Sequence, residues 1–132
     1  MAALKTLELM ESIESWKLIT ETGSKIKNKW KELGNNHGLT IDHFGINALT
    51  GFNFKSKNSL KYKTLISQEM LKNGFLASNS VYACINHTDS ILDNYFSNLD
   101  PIFKIIKDCE NGKNIDDFLD GSVCHSGFKR LN

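Results

Sequence analysis

Few side chains in this sequence have the types and spacing that chemistry requires. Cys124 and His125 could supply a thiol and an imidazole base, but they are neighbours. On extended backbone neighbours point to opposite sides, so they do not form a nucleophile–base pair with each other. Cys124 reads as a packing residue. Lys61 and Lys63 flank Tyr62 near a helix start. A Schiff-base lysine needs a desolvated pocket, and this polar stretch does not offer one. Asp116, Asp117 and Asp120 form an acidic turn without the ligand spacing of a calcium loop. His37 and His43 fall in a loop and a strand, and read as surface or part-buried residues. There is no phosphate-binding glycine loop, no GxSxG elbow and no HExxH pair.

The composition narrows the classes further. A chain of 132 residues argues for a single domain spanning 1–132. Basic and acidic residues number 16 and 15, for a net charge of +1. No strong pull toward nucleic acid or a membrane surface follows. Arg130 is the one arginine, which leaves bidentate readout of bases or phosphates almost without a donor. Cys84, Cys109 and Cys124 are far apart, odd in number and without a CxxC pair. That usage points away from a disulfide framework or zinc site and fits a reducing cytoplasm. No apolar run approaches the roughly 18 residues of a membrane span, and residues 1–10 lack the pattern of a secretory signal.

The elements that would position any site follow from periodicity. Leu4, Leu7, Met10, Ile13, Trp16, Ile19, Gly23, Ile26, Trp30 and Leu33 recur three or four apart, which predicts one long helix over 2–34. Such a helix would be about 45 Å long, more than a domain of this size can cover. Its outer stripe, with Trp16, Trp30, Ile13 and Leu9, is expected to form an exposed patch or to meet a partner. The body spans 39–112. Alternation predicts strands over 39–44 and 48–55, then a helix over 62–73 stopped by Gly74. A short strand over 75–77, a polar turn and a strand over 81–86 come next. Thr88 caps a helix whose positive end Asp89 complements. At Asp100-Pro101 that helix is expected to kink or restart. Asn114 caps one more turn, and a tail over 113–132 closes the chain. The order reads as α+β: a small, mainly antiparallel sheet of three to four strands with helices on one side.

Several runs taken together resemble a known family. The segment AALKTLELME…W…ITETG…I…W resembles the long helix that leads into the small domain of class III, pyridoxal-phosphate-dependent aminotransferases. The segment LISQEMLKNGFLASNSVYACINHTDSILDNYF resembles the small domain of the glutamate-1-semialdehyde aminomutase group, with HTDSILD (His87 to Asp93) opening its terminal helix. The tail GSVCHSGFKRLN is similar to that of some aminomutase-like proteins. The resemblance spans nearly the whole chain. It implies a homodimeric parent enzyme whose cofactor, pyridoxal phosphate, is held by a large domain missing from this sequence. The chain would close one side of the active site and support the dimer, without being catalytic alone. No catalytic, cofactor-binding or metal-binding residue carries over. The strand over 81–86 has Ala83 and Cys84 where many relatives place a carboxylate-binding arginine. The preceding turn, Ser78-Asn79-Ser80, lacks the glutamate of the aminomutase pattern. Ser78, Asn79, Ser80 and Tyr82 are the candidates for facing the active-site mouth, beside the plainer reading of a β-turn. His87 is read as architectural. The rival reading is a stand-alone interaction module that binds a partner through its first helix.

Overall fold

The computed structural model describes residues 1–127; the end of the predicted tail, from 128 to 132 and including Arg130, lies outside the described residues. The helices are α1 (Ala2–Ser12), α2 (Ser15–Asn36), α3 (Ser59–Lys72) and α4 (Asp89–Glu110). The strands are β1 (Ile41–Ile46), β2 (Leu49–Phe54) and β3 (Ser80–Tyr82), and a 3₁₀ turn spans Ile115–Phe118. The strands form one antiparallel sheet in the order β1-β2-β3. Helices pack on one face, so the expected α+β arrangement holds, with three strands.

The predicted helix over 2–34 is broken. Glu14 takes a left-handed φ of 47° between α1 and α2, a conformation costing roughly 1–2 kcal/mol for a residue with a side chain. The Ser12 hydroxyl donates to the Leu9 carbonyl at 2.9 Å, the kind of back-bonding that bends a helix. Beyond the break the helix buries nothing: no residue of α1 is buried, whereas α2 buries Gly23, Ile26, Trp30, Leu33 and Gly34. Trp16 and Leu9 are exposed as expected, but Trp30 is 1% exposed and belongs to the core.

Two further predicted elements differ. Residues 75–77 form no strand, because the Phe75 N–H turns back to the Met70 carbonyl at 2.9 Å and closes the end of α3. Gly74 supplies the positive φ of 82° that this closure needs. The strand predicted over 81–86 is cut to Ser80–Tyr82, since the Cys84 N–H donates to His87 Nδ1 at 3.2 Å and the chain turns into α4. Pro101 neither restarts nor ends α4, which continues from Asp89 to Glu110. A proline inside a helix costs about 3 kcal/mol. The burial of Leu99, Ile102, Phe103 and Ile106 around it offsets that, at roughly 1.5–3 kcal/mol per side chain. Thr88 and Asn114 cap as their types predict, Thr88 accepting from the Ile91 N–H at 3.4 Å and Asn114 from the Asp116 N–H at 3.2 Å.

The core is an aromatic chain under the sheet. Phe52 and Phe54 alternate onto the inner face of β2; the Phe52 ring meets Trp30 at 4.8 Å, and Phe54 meets Phe103 at 5.3 Å and Tyr62 at 5.5 Å. Tyr62 then ties α3 to the end of α4, donating to Glu110 Oε1 at 2.5 Å while Ser56 donates to the same oxygen at 2.7 Å. These bonds hold the Glu110 carboxyl below its usual range. Burial, helped by the hydrogen bond to Glu110, pushes the Tyr62 phenol up to about 12.

Helix α2 crosses the β1–β2 hairpin at Gly23. A Cβ there would sit 1.7 Å from the Asn47 carbonyl oxygen, inside any real contact. Gly23→Ala should therefore push helix and hairpin apart and cost about 1–3 kcal/mol, the scale of overpacking, as a lower urea midpoint at unchanged slope.

His43 generates a second expectation. It stands opposite the buried Phe52, and neither ring nitrogen has a hydrogen-bond partner among the described residues. Burial first, then Lys27, holds its pKa below the ordinary 6.5; the main chain of Gly51 offsets part of this without reaching hydrogen-bond geometry. A histidine whose folded pKa is depressed stabilises the fold fully above its unfolded pKa. That stability declines as pH falls below about 6.5. Urea titrations at pH 7.5 and 5.5 should show a smaller acid loss for His43→Gln than for the unsubstituted protein.

Candidate functional site

An apolar cleft with a volume of about 120 Å³ lies between the start of α4, the loop over 75–78, β3 and the middle of α2. Each wall follows from local structure. The α3 closure at Gly74 delivers Phe75 and Ala77; β3 delivers Val81; the capped start of α4 presents Ile91, Leu92 and Tyr95; and α2 adds Ile26 and Trp30. Polar groups are few. Ser78, Ser80 and His87 stand among the lining residues.

Inside, the Trp30 indole N–H donates to the Tyr95 hydroxyl at 3.1 Å. Burial pushes the Tyr95 phenol up to about 12, against the opposing effect of that bond. Tyr95 stays a neutral phenol over the physiological range, so it can accept and donate hydrogen bonds but cannot act there as a base. His87 accepts the Cys84 N–H at Nδ1. In the neutral ring the proton then sits on Nε2. The cleft offers apolar walls, the Tyr95 phenol, the main chain of Ser80, Ser78 and the His87 imidazole, a set suited to binding.

The four candidate residues separate in space. Ser78 and Ser80 line the cleft. Asn79 is buried between them and is spent on the fold: its amide donates to the Phe52 carbonyl at 2.8 Å and to Asn53 Oδ1 at 3.0 Å. Tyr82 points to the other face of the sheet and is 76% exposed. Two residues central to the cleft, Trp30 and Tyr95, read in the sequence only as members of helical apolar stripes. Tyr95 follows Ile91 by four residues and Leu92 by three, the spacing that puts all three on one face at the head of α4.

The remaining sequence candidates are dispersed. His37 contacts Asp100 at 2.8 Å, the Cys124 N–H donates to Thr64 Oγ1 at 3.0 Å, and His125 is exposed. Lys61 pairs with Asp116 at 2.6 Å. Lys72 is raised by Asp120 and Glu69, and Lys113 by Asp108, the reverse of what an imine-forming lysine needs. Among the described residues no three His, Cys, Asp or Glu side chains gather as a metal group. No described helix is long and apolar enough to cross a membrane.

With this geometry in hand, similarity to known proteins is confined to structure. No family model matches the chain, and no curated protein matches its sequence. Among solved structures, the FumI protein of Sphingopyxis sp. MTA144, in its PLP internal aldimine form, superposes with a TM-score of 0.73 at 15% sequence identity. The two share a fold. The superposition covers 86% of this chain and 28% of that protein, so the chain spans well under half of its structural neighbour.

The bond between Trp30 and Tyr95 supports the cleft wall. Tyr95→Phe leaves the indole N–H enclosed without its acceptor, which should cost about 1–3 kcal/mol. The measurement is a denaturant titration.

Proposed function

We propose that this chain is the small, C-terminal domain of a pyridoxal-phosphate-dependent enzyme of the aminotransferase and aminomutase kind. The observation that carries the reading is the superposition on part of a PLP-bound protein, most of this chain against 28% of that one. In the parent enzyme the domain covers one side of the active site and supports a homodimer. The class III and glutamate-1-semialdehyde aminomutase assignment rests on the N-terminal helix run AALKTLELME…W…ITETG…I…W and on the run over 65–96 with its HTDSILD.

The cofactor belongs to the missing large domain. Among the described residues the side chains do not fit it: the lysines with shifted pKa are raised by acidic partners, and the apolar cleft is lined by no lysine or arginine for a phosphate. What this chain supplies is surface. Phe44, Ile46, Leu49 and Tyr82 are exposed on the sheet face opposite the helices, and Leu4, Leu7, Leu9 and Met10 are exposed on α1. Apolar surface of that extent on a small domain fits contact with a larger body. The free thiols of Cys84, Cys109 and Cys124 fit a cytoplasmic enzyme.

The rival reading, a stand-alone interaction module, draws on the same exposed α1. The reading frame upstream of the Met1 codon separates the two. A cofactor-lysine segment continuous with it supports the enzyme domain. A stop codon immediately upstream, with natural initiation at Met1, overturns it. Added pyridoxal phosphate should give this chain only weak, unsaturable lysine adducts. A stoichiometric aldimine absorbance band abolished by one lysine substitution would contradict the assignment of the cofactor to another domain.

A further inference from the structure

The cleft adjoins an open strand edge. The Phe52 N–H bonds the Asn79 carbonyl and the Ala83 N–H bonds the Ala48 carbonyl, each at 2.9 Å. In an antiparallel ladder the bonded pairs alternate. Val81, opposite Thr50, therefore spends both main-chain groups on β2, while the N–H and C=O of Ser80 and Tyr82 point off the sheet. Among the described residues these four groups have no partner, and both residues are exposed.

The two edges of the sheet are treated differently. At β1, Asp42 pairs with Lys55 at 3.1 Å, and Lys27 and Lys31 line a surface cleft together with His43. Charges of that sort keep a foreign strand away. At β3, the run from Asn79 to Ala83 has no charge and no proline. Three residues are too few to pair stably by backbone alone, so an occupant needs an anchor, and the cleft beside the edge provides one. A dry cavity of about 150 Å³ can hold a benzene; the about 120 Å³ here takes one branched or aromatic side chain. Leu76, 97% exposed at its rim, and Ile91 extend the apolar contact.

We propose that the free edge of β3 and the adjoining cleft form a docking site for an extended, uncharged peptide strand. The strand pairs with the main chain of Ser80 and Tyr82 and sets one apolar side chain against Phe75, Ala77, Val81 and Ile91. Complementarity fixes this chemistry: the edge asks for a ladder of donors and acceptors, and a charge entering the apolar cleft would be desolvated without a counter-ion. The inference stands on β3 and its surroundings and is independent of the enzyme reading.

Three blocked peptides of alternating threonine and either valine, leucine or phenylalanine serve as probes. Amide hydrogen exchange at Ser80 and Tyr82 should slow by about tenfold or more at saturation. With Trp16→Phe, which leaves Trp30 as the reporter in the cleft wall, tryptophan emission should change with the same midpoint. Backbone N-methylation of the peptide should abolish both effects. So should Tyr82→Pro, which removes an edge donor and spares the β2 pairing; if that variant does not fold, Ala77→Leu, which fills the cleft, should do the same. Unchanged exchange with all three peptides at millimolar concentration would overturn the proposal. Equal protection by the N-methylated peptides would overturn it too. Protection that grows with protein concentration alone would reassign the edge to a second copy of this chain.

Discussion

Phe52 and Phe54 on the inner face of β2 are the constraint on which the rest of this structure depends. Every layer reaches one of those two rings: α2 through Trp30, α4 through Phe103, α3 through Tyr62. Aromatic side chains bury large areas in defined relative orientations, so such a cluster fixes helix placement as well as stability. It also explains why α4 runs unbroken through Pro101. The helix presents Phe103 to the rings while burying Leu99, Ile102 and Ile106 in the same core, and breaking it would surrender part of that burial.

A core of this kind gathers everything on one side of the sheet. Gly51 shows what is left on the other: a Cβ there would meet the Phe44 ring at 2.3 Å, so the end of that ring sits over Gly51, with Ile46, Leu49 and Tyr82 exposed on the same face. Helix α1 leaves the body at Glu14 with its apolar residues uncovered. Two apolar surfaces are thus left without a layer over them.

The cleft arises where the cluster ends. Trp30 touches Phe52 on one side and gives its indole N–H to Tyr95 on the other. Beyond Tyr95 the sheet has only a three-residue strand to offer, and the space beside that strand stays open. Short pairing of β3, an unpaired edge and the cleft are one consequence of the chain turning at Cys84–His87 into the capped start of α4.

Local signals in the sequence determined the fold class, the hairpin, α3, the caps at Thr88 and Asn114, and the apolar stripe from Gly23 to Leu33, because periodicity and capping act within a few residues. They could not show the break at Glu14, which no glycine or proline marks, nor the loss of a strand at 75–77, where a helix closure captured the Phe75 N–H. The segment at 78–80 was legible as a polar connection but is not the turn expected, since Asn79 already bonds to β2 and Ser80 opens β3. Its division of roles was not legible: Asn79 locked to β2, Ser78 and Ser80 in the cleft, Tyr82 on the far face. Which side a strand residue faces depends on register, and register here was set by Phe52 and Phe54 seeking α2, α3 and α4. Tyr95 and Trp30, 65 residues apart, meet only once those helices are packed, so tertiary structure alone decided that there is a cleft and what lines it.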